Sequence, residues 1–151
     1  MAWVVVAAAV AIVLQTMLGR YVFRGVGGLD LVLVVVVYVA LTSGPVTGLL
    51  AGTAAGLVQD GLATGVIGIG GLAKTLVGFV AGVIGTQFIV SQPLPRFIVF
   101  FGATLLHAVV FIGLYVLLDL RHFESPYLAV AGQAVGNAAV GVVAFQLVEL
   151  F

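Results

Sequence analysis

Cysteine is absent and charge is scarce: five Lys or Arg and five Asp or Glu make up 7% of the 151 residues, where a soluble domain carries about 25%. Without thiols there is no disulfide, no thiolate metal site and no cysteine nucleophile. A formal charge of zero leaves no basic face for nucleic acid and no polybasic tract for anionic lipid. Two histidines, His107 and His122, fall short of a structural zinc set. Neither has an acid at a spacing that activates a serine, and Ser43, Ser91 and Ser125 all fall in expected loops. Gly68, Gly70 and Gly71 resemble a phosphate loop only in being glycines, since no phosphate-cradling motif with lysine and a hydroxyl follows a strand. The chain is therefore expected to be no enzyme, and nothing in it calls for a cofactor or a metal.

What remains is apolar. Hydrophobic residues make up 64% of the chain and the mean hydropathy is +1.39, the composition of an all-α integral membrane protein with the lipid bilayer as its solvent. Leu29 to Thr42 is rich in valine and taken alone looks like a buried strand. An open strand leaves its backbone unpaired in lipid, however, and too few segments alternate to close a barrel. One domain, 1–151, of six transmembrane helices is expected, at about 2–19, 29–42, 46–59, 72–90, 97–118 and 128–151. The first run has no basic n-region and reads as a retained span. Residues 21–28 and Ser91–Arg96 read as loops, the latter made rigid by Pro93 and Pro95. The glycine-rich 60–71 reads as irregular backbone, of the kind a re-entrant loop uses, and 119–127 as an aqueous loop.

Gly44, Gly48, Gly52 and Gly56 recur every fourth residue and lead to Asp60, and Gly78 and Gly82 repeat the spacing in the fourth helix. Glycines four apart strip one side of a helix of side chains, so that another helix can approach its backbone. The neighbour is either another helix of this chain or a partner's span. Asp30 opens the second helix, where a carboxylate caps free amides. Asp60 reads as a cap, as an ion-coupling group or as the salt-bridge partner of Lys74. His107, mid-way along the fifth helix, shares a stripe with Phe97, Phe100, Thr104 and Phe111 and reads as a neutral interior histidine. Gln133 and Asn137, amid Gly132, Gly136 and Gly141, suit interhelical hydrogen bonds, or with His107 a small polar pocket.

The Asp30-Leu31 helix start, the Gly44-Pro45 turn, the glycine helix ending at Asp60, the loop with Gly65 and Gly68 and the helix with Gly78 together resemble the rod shape-determining protein MreD family. That resemblance implies a non-catalytic scaffold in the bacterial inner membrane, with a fold similar to the S components of energy-coupling-factor transporters. The partner it implies is MreC, and through MreC the RodA-type glycosyltransferase, its penicillin-binding transpeptidase and MreB. Two positions depart from the family pattern: Thr42 and Ser43 stand where basic residues are frequent, and Leu29 where proline is. Counting Lys and Arg puts the N-terminus outside, whereas the resemblance puts both termini in the cytoplasm. The competing reading is a vitamin-binding S component, for which Ala7 and Ala11 would form the docking pair and His107, Gln133 and Asn137 the pocket.

Overall fold

A computed structural model describes residues 2–21, 30–62, 68–88, 92–118 and 127–150, nearly all of them helical. Six helices follow in order: α1 (Ala2–Tyr21), α2 (Leu31–Ser43), α3 (Pro45–Leu62), α4 (Ile69–Gln87), α5 (Pro93–Leu117) and α6 (Tyr127–Leu150). No strand occurs among the described residues. The segments expected as loops at 21–28 and 119–127 lie largely outside them.

The shortest helix is the hub. In α2, Val32, Leu33, Val34, Val36, Val37, Val39 and Ala40 are all buried, and a helix that is apolar on every side belongs inside a bundle. All five other helices touch it. One core joins Leu33, Val37 and Ala40 to Val77 and Ala81 of α4, Phe100 of α5 and Phe145 of α6. A second joins Val32 and Val36 to Ala11 and Ile12 of α1 and Ala55 of α3. Trp3 meets Tyr38 edge-on at 6.0 Å between ring centres, so α1 runs antiparallel to α2. Beside that contact lies an apolar groove of about 430 Å³, floored by Val34, Val35 and Tyr38 and walled by Ala7 of α1 and Ala144 of α6.

Gly44 separates α2 from α3 by a single residue, with φ at +95° and nothing within 4 Å of where a side chain would begin. Backbone of this kind suits glycine, and Pro45 then supplies a first helical residue that needs no amide partner. Proline explains one correction as well. Ser91–Arg96 was expected as loop, but α5 begins at Pro93, because both prolines fall in its first turn, where the missing N–H costs nothing. The expected irregular stretch 60–71 is also shorter. α3 continues to Leu62 and α4 starts at Ile69, with 63–67 outside the described residues.

α3 and α4 form the closest crossing. A Cβ on Gly48 would collide with the Gly78 carbonyl, one on Gly78 with the Gly48 carbonyl, and one on Gly52 with the Lys74 carbonyl. At Gly56 it would stand 2.6 Å from the Gly71 Cα. Gly82 packs in the same way on Pro45. Each four-residue step up α3 meets a step of three or four down α4, so the two backbones touch along their length. Thr53 and Thr75 hydroxyls, 2.7 Å apart, bridge the same seam. Replacing Gly52 by Ala is expected to cost about 1–3 kcal/mol, because backbone must move to admit the methyl. In thermal unfolding of the purified protein that corresponds to a fall of roughly 3–10 °C. Gly102→Ala, where nothing lies within 4 Å, is the control and is expected to leave the midpoint unchanged or higher.

Candidate functional site

Lys74 enters an apolar helix five residues after its start and is 3% exposed, and it faces Asp30, 5% exposed, at the head of α2. Its Nζ lies 3.0 Å from Asp30 Oδ2 and 3.2 Å from His107 Nε2 on α5. An ammonium can only donate, so Nε2 accepts and the imidazole is neutral with its proton on Nδ1. The other Asp30 oxygen accepts the Leu33 amide at 3.0 Å and so caps α2. The Asp30 amide donates to Asn137 Oδ1 on α6 at 2.9 Å. Asn137 Nδ2 in turn donates to Thr104 Oγ1 at 3.1 Å, and that hydroxyl donates to the Phe100 carbonyl at 3.0 Å. Phe111 stacks on the His107 ring with 5.6 Å between ring centres. Four helices thus meet in one buried chain of hydrogen bonds. A buried polar set is stable only when every member is satisfied, and among the described residues no buried side-chain nitrogen or oxygen lacks a partner.

Asp60 has a different task from pairing with Lys74. Its Oδ2 accepts the amides of Gly68 at 3.0 Å and Gly71 at 2.9 Å, satisfying the start of α4. A Cβ on Gly70 would push the Asp60 carboxylate out of this position. Both acids lie at the same end of the bundle as Lys74. But Asp60 faces the first turn of α4, whereas Lys74 stands a further turn inward, level with the start of α2. Chain proximity pointed to Asp60; helix rise decides for Asp30.

The other site residues sort by contact. Gly48, Gly52, Gly56, Gly78 and Gly82 face helices of this chain, while Gly44 is a turn residue whose own side-chain position is open and whose backbone lies under Gly82. His107 and Asn137 enter the same network, and Gln133 sits half-buried one turn earlier on α6. Ala11 packs on α2 and Ala7 lines the groove beside it. Gly141, one of the glycines around Asn137, packs on α5, where a Cβ would stand 2.6 Å from the Phe100 ring; the residue the sequence reading missed is Arg96. That guanidinium is buried over the Phe145 ring, 4.3 Å from its centre, and bonds to Glu149, tying the start of α5 to the end of α6. A cation bracketed by prolines and aromatics was the available signal. No cluster of ligating side chains suited to a metal occurs among the described residues.

Three helices, Ile69–Gln87, Pro93–Leu117 and the Val130–Leu150 part of α6, are long and apolar enough to cross a membrane. Large apolar side chains such as Val46, Ile98, Val109 and Leu117 point outward, while Asp30, Lys74 and Arg96 are folded inward, the arrangement that suits an apolar solvent. The class is that of an all-helical protein with three helices able to cross a membrane. More narrowly, the chain belongs to the MreD family, whose model, described as rod shape-determining protein MreD, matches residues 1–151. Among curated proteins and solved structures nothing matches it.

Asp30→Asn strands the Lys74 ammonium in the core, and is expected to cost about 3–5 kcal/mol. Adding Lys74→Met to it removes the stranded charge and is expected to restore a large part of the loss. A double-mutant cycle on thermal unfolding measures that coupling.

Proposed function

We propose that this chain is a multi-pass, non-catalytic scaffold of the bacterial inner membrane that binds MreC and helps organise peptidoglycan synthesis during cell elongation. Through MreC it is coupled to the RodA-type glycosyltransferase, the penicillin-binding transpeptidase and MreB. The family match over residues 1–151 carries this reading. It is supported by how the polar residues are used: Asp30, Lys74, His107, Asn137 and Thr104 bond one another. In a substrate carrier, convergent polar groups would instead line a cavity. The alanine pair in α1 that would serve a transporter's coupling partner is turned toward α2. In this proposal all six helices are spans, both termini lie in the cytoplasm, and the fold is that of the S components with the substrate site replaced by bonds between helices. Outward apolar faces then meet lipid and the partner's span.

Affinity purification of the tagged protein from mildly solubilised native membranes tests the proposal. MreC is expected to co-purify, together with the glycosyltransferase and transpeptidase, as identified by mass spectrometry. Recovery of ATPase subunits with a transmembrane coupling protein would overturn it in favour of a transport component.

A further inference from the structure

We infer that the groove between α1 and α6 is the seat of the partner's membrane span, so that a foreign helix becomes the sixth neighbour of α2. MreC as the partner rests on the proposed function; the place rests on how the helices are arranged. Packed helices lie about 8–10 Å apart, and at equal spacing roughly six cylinders surround a central one. α2 has five neighbours. Around it α1 touches α3, α3 touches α4, α4 touches α5 and α5 touches α6, but among the described residues α6 and α1 do not touch. The ring therefore lacks one member, and the groove of about 430 Å³ lies where that member would stand, with α2 as its floor.

The exposure of α2 points to the same side. Between Leu31 and Ala40 every residue is buried except Leu31, Val35 and Tyr38, which are half-buried, and Thr42 beyond them is exposed. Intervals of four, three and four residues put these positions on one face of a helix. Leu41, also half-buried, lies against Gly85 of α4 instead. A second groove of about 420 Å³ runs between α4 and α5, but those helices touch each other and no residue of α2 lines it. It is a notch between neighbours, not a place left in the ring.

The lining selects the occupant. No charged side chain borders the groove, and only Trp3 and Tyr38 bring a polar atom to it, which matches the uncharged stripe of an apolar helix. Ala7 of α1 and Ala144 of α6 make low walls that allow a backbone to come close. The complementary helix carries a large aliphatic side chain for the gap between the two alanines and a small one where it passes Trp3 and Tyr38. Seated there it touches α1, α2 and α6 together and closes the ring; an acyl chain covers the floor but leaves the ring open.

Because the chain has no cysteine, one introduced thiol gives a single attachment point. Val148→Cys lies in the groove and Leu50→Cys on the outward side of α3, at side chains 57% and 55% exposed. Each is labelled with a benzophenone and irradiated in native membranes, and the products captured by a tag on this chain are identified by mass spectrometry. MreC is expected to be cross-linked from Val148→Cys and not from Leu50→Cys. Ala144→Phe fills the groove, and is expected to lower co-purification of MreC about tenfold with the thermal unfolding midpoint unchanged. Absence of MreC from the unsubstituted protein overturns the proposed function and the seat together. Recovery of MreC with the unsubstituted protein and Ala144→Phe alike, or its cross-linking from Leu50→Cys and not from Val148→Cys, overturns the seat alone. So does a Val148→Cys product that contains only lipid or a second copy of this chain. Should Ala144→Phe fail to fold, the cysteine pair decides.

Discussion

An ammonium cannot be left alone in an apolar interior, and the middle of this bundle is arranged around that constraint. Lys74 sits inside α4 with Asp30 beside it, and the carboxylate that neutralises it is the one that caps α2. One side chain therefore fixes both the charge balance of the core and the beginning of its central helix. Asn137 and Thr104 extend the same bonds to α6 and α5. Four helices are held in register at one depth by directional contacts, which lipid-like packing alone does not provide.

The glycine seam does the complementary work. Dispersion between α3 and α4 depends on the two backbones touching, and Gly48, Gly52, Gly56, Gly71 and Gly78 allow that over nearly the full length of α3. The seam fixes distance but is tolerant of sliding, since each glycine step resembles the next. Register comes from its ends and middle: Asp60 on the α4 amides, the Thr53 and Thr75 hydroxyl pair, and Pro45 under Gly82. At the far end of the bundle Arg96, Phe145 and Glu149 pin α5 to α6.

Helix content was legible because each apolar run ends at glycine, proline or a polar cluster, and these residues act locally. Glycine spacing likewise announced a close crossing. Its partner was left open, since a bare face looks the same whether α4 or a foreign helix covers it. Prolines misled at α5 because the first turn of a helix and a loop accept them equally. Of the readings open for Asp60, the cap is the one formed, and Lys74 bonds Asp30 instead. The two candidates differ by about one helical turn in depth, and depth depends on how three helices stack, which no single segment encodes. His107 read as an interior histidine with no bond to Lys74 foreseen for the same reason: Lys74 reaches it from a helix 33 residues away in the chain.

The hydrogen bond from Asp30 to Asn137 joins residues 107 apart in the chain, whereas the seam joins helices that are consecutive. Closing a long loop costs more entropy than closing a short one, so the two sets of contacts belong to different moments of assembly. The α3–α4 pair can form as soon as α4 is made. At ribosomal speeds of about 5–20 residues per second, Asp30 waits roughly 5–20 s for Asn137 to be synthesised. For that interval the side-chain carbonyl of Asn137 is not there to take the Asp30 amide, and the link between α2 and α6 is the hydrogen bond that synthesis order delays longest among those described.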